Sequence, residues 1–235
     1  MSLIDFLLAT TAVLLGAVVQ GTIGFGLGLL AAPLLMMIDP RLVPGPILVS
    51  SVVLTILLAR REWHAVQRND LGWAVAGRVV GTLFAMGALS VLSDQRLKLL
   101  FGILVLSAVG LTVTGLKIRP APKTLGLVGM VSGFMGTLTS IGGPPIALLY
   151  QHESGPRIRA TLSAFFIVGV GLSLAGLAGV GRFGLVELKL GGYLIPGVLI
   201  GYGVSRFTAG MVDKGFIRPA VLVVSAMAGL AVIFL

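Results

Sequence analysis

Apolar runs fill nearly the whole of this 235-residue chain, and they constrain its fold more than any other feature. A helix of roughly 17–25 apolar residues crosses a bilayer, and apolar runs recur near 3–38, 44–59, 71–92, 97–116, 124–152, 160–180, 190–204 and 216–235. Only 11% of the residues are charged, against about a quarter in a soluble domain. The pattern predicts an all-α, multi-pass membrane protein with almost no extramembrane domain.

Two of these runs are interrupted by glycine and proline, in "GTIGFGLG" at 21–28 and in "GTLTSIGGPP" at 136–145. Irregular backbone at membrane depth is stable only where it is buried in protein or lines a wet cavity, because each N–H and C=O needs a partner. Gly142 and Gly143 would end one half-helix, and Pro144 suits the first turn of the next. We expect two broken segments, at 3–38 and 124–152. The first arm of 3–38 is long enough to cross, so the sequence leaves open whether that segment spans or re-enters.

The chain also resembles itself at a distance of about half its length. A shift of 117 or 118 places superimposes Gly16 on Gly133, Thr22 on Thr139, Gly26 on Gly143 and Ser107 on Ser225. We therefore predict two homologous repeats, 1–116 and 124–235, joined by a basic linker at 117–123. Each repeat is a broken segment followed by three helices, at 44–59, 71–92 and 97–116 in the first and at 160–180, 190–204 and 216–235 in the second.

The distribution of lysine and arginine favours a re-entrant hairpin at 124–152, because cytoplasmic loops collect these residues. If this segment spans, the two sides carry equal numbers. If it returns to the face it entered, one side carries eleven lysine and arginine residues and the other side carries five. The richer side then holds the loops at 60–70, 117–123, 153–159 and 205–218. This indicates inverted repeats, a common plan of secondary transporters, in a bacterial inner membrane with both termini on the non-cytoplasmic side.

A helix that begins inside the membrane presents free amides and the positive end of its dipole, which favours an anion. We expect the two breaks to meet near the midplane and bind a small anion with several oxygens. The alternative is that the glycines serve only close helix packing. The backbone and side chains predicted to line the site are those of Gln20, Thr22, Gly24, Gly26, Thr139, Ser140, Gly142, Gly143 and Pro144.

Three titratable residues add to this prediction. Arg78, in "AVAGRVVGTL", is the one basic residue well inside an apolar run; intramembrane charges are usually functional, and a guanidinium binds oxyanions through two hydrogen bonds. The alternative is that Arg78 snorkels to the interface. His152 and Glu153 are candidates for proton coupling, since histidine titrates near neutral pH, or else mark the interface.

The segments "GTIGFGLGLLAAPLL" and "GFMGTLTSIGGPPIALLYQ" resemble the TauE/SafE family of sulfite and sulfonate exporters, and the similarity extends over essentially the whole chain. The resemblance implies transport of small sulfur-containing anions across the inner membrane, most often outward. The first family motif is looser here, because "IGFGLG" lacks the fuller glycine triplet of many members. The family's two motifs fall on Gly21, Gly24, Gly26 and Pro33, and on Gly136, Gly142, Gly143, Pro144 and Pro145.

These observations together predict a secondary transporter that exports a small sulfur-containing anion, namely sulfite, a sulfonate or a related organosulfur acid, by alternating access. The alternatives are an uncoupled anion channel and a permease for another small carboxylate or oxyanion. The chain has no cysteine and two histidines, and it shows no catalytic, metal-binding or nucleotide-binding pattern, so we expect neither an enzyme nor a cofactor. The expected partners are the substrate anion and the lipid bilayer; nucleic acid is not expected, and a homodimer is left open.

Overall fold

The computed structural model of the protein describes residues 2–67, 71–114, 116, 118–208 and 217–234. Parts of two predicted basic loops, at 68–70 and 209–216, and residue 117 of the predicted linker lie outside the described residues. So do residues 115 and 235, which belong to two predicted helices. Within the described residues there are α-helices and short 3₁₀ turns but no strand, which confirms the all-α prediction. The helices are α1 (Leu3–Ile23), α2 (Leu27–Ile38), α3 (Gly45–Arg61), α4 (Leu71–Val91), α5 (Asp94–Thr114), α6 (Pro122–Thr139), α7 (Gly143–Tyr150), α8 (Gly155–Gly179), α9 (Leu185–Thr208) and α10 (Ile217–Phe234).

Five of the described helices, α1, α4, α5, α8 and α9, are long and apolar enough to cross a membrane. Several helices extend beyond the apolar runs that predict them: α5, α8 and α9 begin at Asp94, Gly155 and Leu185 instead of 97, 160 and 190. Hydropathy marks the part of a helix that suits hydrocarbon, whereas the hydrogen-bonded helix continues into the interface. Asp94 and Glu187 lie in such first turns, where a carboxylate is favoured by the helix dipole.

Both predicted breaks are present. The first lies between α1 and α2, where Gly24 and Gly26 have φ of +95° and +132°; side chains disfavour this region, and glycine enters it freely. The second lies between α6 and α7, where Ser140 has a left-handed φ of +64°. Each chain reversal therefore depends on residues of the two motifs.

The first broken segment is a hairpin. α1 runs parallel to α9, because Gly197 packs against Thr10 and Gly201 against Leu14. After α2 the chain returns to the start of α9, where Gly45 packs on Phe183. α1 therefore starts, and α2 ends, at the same end of the helix bundle, although α1 alone has 21 residues.

The second broken segment is a hairpin from the other end. α6 runs parallel to α4, because Gly129 packs against the backbone of Ala74 and Gly133 against that of Arg78. After α7, Gln151 Nε2 donates to the carbonyl of Leu116 at 2.8 Å, close to the start of α6. We call the end that carries 62–67, 116–121 and 151–154 the basic end, and the end that carries 39–44, 92–93 and 180–184 the opposite end.

The most extensive helix contacts occur in matching pairs. α1 packs on α9 and α6 on α4; α3 packs on α9 and α8 on α4; α2 packs on α10 and α7 on α5. α3 also packs on α8, and α5 on α10. Exchanging α1–α5 with α6–α10 leaves this contact pattern unchanged, as a two-fold axis between two halves would require.

Candidate functional site

The two helix breaks touch each other in the middle of the bundle. A Cβ at Gly28 would overlap the carbonyl oxygen of Ser140, and one at Gly143 would lie 2.7 Å from Cβ of Phe25. The two hairpin tips can approach this closely only because glycine occupies both positions.

A cavity of about 40 Å³ lies where the tips meet, and we call it the central cavity. A water-sized group needs about 10–15 Å³ on this measure, so the cavity has room for about three such groups. Its remaining walls come from α3, α4 and α8, and include the rings of Phe25 and Phe166. The structure brings together here seven of the residues that the sequence predicts, namely Gln20, Gly26, Arg78, Ser140, Gly142, Gly143 and Pro144.

Arg78 is the only charged residue that lines the central cavity within the described residues. Its side chain is 2% exposed, so it does not snorkel to the interface. Nη1 donates to Ser132 Oγ at 3.0 Å and Nη2 contacts Ser173 Oγ at 3.5 Å, while Nε has no hydrogen-bond partner. No carboxylate in the described part of the chain pairs with it. An unpaired buried charge is costly, and a bound anion would offset that cost.

A network of hydroxyl groups joins Arg78 to the second break. Ser132 Oγ accepts from Arg78 and donates to the carbonyl of Gly142 at 2.6 Å. On the other side of the guanidinium, Ser173 Oγ and Thr137 Oγ1 are 2.8 Å apart. The guanidinium also lies over the ring of Phe165, 5.1 Å from its centroid. Ser132 therefore connects the Arg78 guanidinium to the α6–α7 break.

The free backbone amides come mostly from the first break, which differs from the sequence-based expectation. Pro144 and Pro145 have no N–H, so the first turn of α7 offers only the amide of Gly143. In α2, the amide of Leu27 donates to Gln20 Oε1 at 3.2 Å, whereas those of Gly28 and the next residue have no intrahelical acceptor. The amide donors of the cavity are therefore concentrated at the start of α2.

Three predicted residues do not line the central cavity. Thr22 Oγ1 donates to the carbonyl of Val18 at 2.6 Å, and Thr139 Oγ1 to that of Met135 at 2.7 Å. Hydroxyls in helices commonly bond back to the preceding turn in this way. Gly24 lies against the backbone of Arg159, away from the cavity. These three residues lie at or next to the breaks, outside the cavity wall.

The two candidates for proton coupling also lie outside the central cavity. His152 is exposed, and the Glu153 carboxylate pairs with Arg157 at 2.7 Å. Both residues belong to the basic end.

Four other residues of the cavity wall are not singled out by sequence reasoning. Phe25 lies inside the first glycine motif, and Phe166 belongs to an ordinary apolar run of α8. Ser51 and Thr55 are four residues apart on α3 and line the same face. The spacing of two hydroxyls within an apolar helix is the signal that would have identified this pair.

Two arginines fix the C-terminal end of α1. Arg61 Nη2 donates to the carbonyl of Gly21 at 2.8 Å, and Arg159 Nη1 to that of Thr22 at 3.2 Å. Glu62 accepts two hydrogen bonds from Arg159, of 2.7 and 3.0 Å, at one of its oxygens. We call Arg61, Glu62 and Arg159 the clamp. Cations favour this end of a helix, so the clamp stabilises α1 at the basic end.

Comparison with known protein families identifies a match over nearly the whole chain. The model of the family described as "Sulfite exporter TauE/SafE" matches residues 8–232, which include both breaks and Arg78. No curated protein and no solved structure matches the chain.

Proposed function

Since the chain belongs to the sulfite exporter TauE/SafE family of membrane transporters, we propose that it is a secondary transporter for a small sulfur-containing oxyanion. The central cavity is the proposed substrate site. Its proposed ligands are Arg78, the amides of Gly28 and Gly143, and the side-chain amide of Gln20. The hydroxyls of Ser51, Thr55 and Ser140 line the cavity but already donate to the carbonyls of Leu48, Ser51 and Pro44.

The observation that carries this proposal is the unpaired guanidinium of Arg78 in the cavity where the two breaks meet. A buried cation with no counter-ion is destabilising by several kcal/mol, so a stabilising role is not a sufficient reason for its presence. A guanidinium binds an oxyanion through two short, charge-assisted hydrogen bonds. The amides of Gly28 and Gly143, at the starts of two helices that line the same cavity, add further donors.

The size and lining of the cavity favour a compact anion, such as sulfite, over an extended amino-sulfonate. A volume of about 40 Å³ accommodates a few heavy atoms. Within the described residues no carboxylate lines the cavity, so a substrate ammonium group would be buried without a partner. Small carboxylates carry one oxygen fewer than sulfite and remain the second candidate class.

The two hairpins enter from opposite ends, which supports inverted repeats, with one repeat in 1–116 and the other in 124–235. We propose alternating access, in which the repeats rock about the central cavity. The basic end would face the cytoplasm by the positive-inside rule, both termini would lie outside, and export would run from the basic to the opposite end. An uncoupled channel would use the same site without counter-transport.

The experiment that tests the proposal is thermal unfolding of the detergent-purified protein in the presence of sulfite, sulfate, taurine, acetate or chloride. We expect sulfite to raise the unfolding temperature of the wild-type protein and of Arg157→Met, whose exposed arginine lies outside the cavity. Arg78→Met should lose this effect, because it removes the cation and approximately keeps the side-chain volume. No sulfite effect in the wild type, or an equal effect in Arg78→Met, would refute the proposed site.

A further inference from the structure

A second cavity, of about 140 Å³, lies beside the central cavity, and we call it the basic-end cavity. Apolar side chains, Thr112 and Gln151 line it, and Gln151 is bonded to Leu116 at the basic end. The two cavities share two lining residues, Phe25 and Pro144. These two side chains therefore lie between the central cavity and the basic-end cavity.

Of these two residues, Phe25 is the one that can move. Pro144 belongs to the first turn of α7, and its ring fixes its backbone. Phe25 belongs to the three-residue break between α1 and α2, flanked by Gly24 and Gly26, which have φ of +95° and +132°. Its buried ring packs against Gly143. Glycines on both sides permit a change of backbone conformation that other residues resist.

The clamp limits such a change to the break itself. Arg61 and Arg159 hold the carbonyls of Gly21 and Thr22, which directly precede the break. Leu27 is held on the other side by Gln20 Oε1. A displacement of the ring therefore needs rotation only at 24–26, while both helices stay in place.

The barrier towards the opposite end is built differently. A cavity of about 280 Å³ lies there, lined in part by Pro44 and Leu138, and it has no lining residue in common with the central cavity. Between them, Ser140 Oγ donates to the carbonyl of Pro44 at 3.1 Å. The wall at this end is a hydrogen-bonded contact between two elements, whereas the wall at the basic end is one side chain thick.

We propose that Phe25 is the gate that closes the central cavity towards the basic end. This inference rests on the proposed function, because it gives the transported anion its route between the cytoplasmic side and the site. Rotation of the ring away from Gly143 and Pro144 joins the two cavities. When the ring returns to Gly143, it separates the two cavities again. The central cavity therefore does not open to both ends at once.

The chain has no cysteine, so one introduced thiol reports accessibility without background. Ser51→Cys places that thiol in the wall of the central cavity, and a small anionic methanethiosulfonate reagent is the probe. The rate of labelling is measured in membrane vesicles of both orientations, with Phe25→Ala or Phe25→Leu added. Phe166→Ala is the matched control, because Phe166 is a buried aromatic residue of the central cavity that does not line the basic-end cavity.

We expect both Phe25 variants to raise the labelling rate about tenfold or more, in proportion to the population of the open state. The increase should occur only in vesicles that expose the basic end, and Phe166→Ala should leave the rate near that of Ser51→Cys alone. The gate is refuted if Phe25→Leu, which keeps an apolar side chain, labels no faster than Ser51→Cys, or if Phe166→Ala has the same effect.

This result is separable from the anion-binding test. A sulfite effect that depends on Arg78, without a Phe25 effect on labelling, would support the proposed function and remove the gate. Faster labelling of the Phe25 variants without any stabilisation by anions would support Phe25 as the barrier and remove the proposed substrate.

Discussion

At the scale of single residues, the site depends on where one guanidinium is held. Arg78 is recognisable in the sequence as a charge inside an apolar run, but its partners are not. Ser132 and Ser173 come from two other helices, and only the packing of α4 between α6 and α8 brings them together. A charge is thus predictable from one run, whereas its surroundings need the tertiary structure.

Substitution of Gly169 should displace the Arg78 guanidinium although Arg78 itself is not mutated. A Cβ at Gly169 would overlap Arg78 Nε, whereas Gly171 on the same helix has open space around it. We expect Gly169→Ala to weaken sulfite binding about tenfold or more, since a misplaced ligand loses about 1.4 kcal/mol or more. Gly171→Ala should bind normally. Isothermal titration with sulfite measures both, and equal affinities would contradict the position assigned to Arg78.

The same reasoning predicts that Arg78→Met folds well without anion. Replacing a buried charge by an apolar side chain is often neutral or stabilising, so its unfolding temperature in chloride buffer should equal or exceed that of the wild type. A clear decrease would show that Arg78 is mainly a structural residue.

At the scale of elements, the positions of the two breaks could be predicted from the sequence. Their contact with each other, and the backbone amides that stay free at each break, could be predicted only in part. "GTIGFGLG" and "TSIGGPP" indicate where helices end, because glycine and proline act locally. Which amides remain free depends on tertiary contacts, such as that of Gln20 with Leu27. Helix limits at Asp94, Gly155 and Leu185 were missed for a related reason, since hydropathy does not report interfacial turns.

Contact between the breaks should be sensitive to one methyl group. Gly28→Ala would push the α2 start against the carbonyl of Ser140, and we expect a loss of roughly 1–3 kcal/mol of stability, as for other overpacked sites. Gly110→Ala, in a helix and with open space around it, should be neutral or gain up to about 1 kcal/mol from helix propensity. Comparable thermal unfolding of the two variants would argue against the close approach of the hairpin tips.

The clamp offers a test by matched acid substitutions. Glu62→Gln leaves Arg159, whose side chain is 9% exposed, without its carboxylate, and breaking such a pair costs roughly 3–5 kcal/mol. Glu153→Gln removes only the exposed pair with Arg157, where roughly 0–1 kcal/mol is expected. Thermal unfolding compares the stabilities of the two variants.

Glu153→Gln should also leave the pH dependence of transport unchanged, because Glu153 lies outside the central cavity. A pH effect of that variant would restore Glu153 as a coupling residue.

At the scale of the whole molecule, the hairpin topology brings the first residues of α1 to the opposite end. The last residues of α10 lie there too, because α10 packs antiparallel to α5, with Ile233 against Gly102 and Gly229 against Val105. Lysine and arginine counts alone favour the second hairpin and say nothing about the first, because making 3–38 span moves only the N-terminus. The contacts of α1 with α9 and of Gly45 with Phe183 show that 3–38 is a hairpin. These tertiary contacts could not be predicted from the sequence.

This arrangement predicts the sidedness of the chain. Reporter enzymes fused to the N-terminus and to the C-terminus should both be active outside the cytoplasm. A cysteine introduced at His64, at the basic end, should be labelled from the cytoplasm. Termini found on different sides would contradict the arrangement of the two hairpins.

Transport of radiolabelled sulfite into proteoliposomes tests the central claim most directly. The wild-type protein should give saturable uptake that accelerates when the vesicles are preloaded with unlabelled sulfite, as exchange by a carrier produces, and Arg78→Met should abolish it. Uptake that neither saturates nor accelerates would indicate a channel. Absence of sulfite flux in the wild type, or equal flux in Arg78→Met, would contradict a sulfite transporter built around the buried guanidinium.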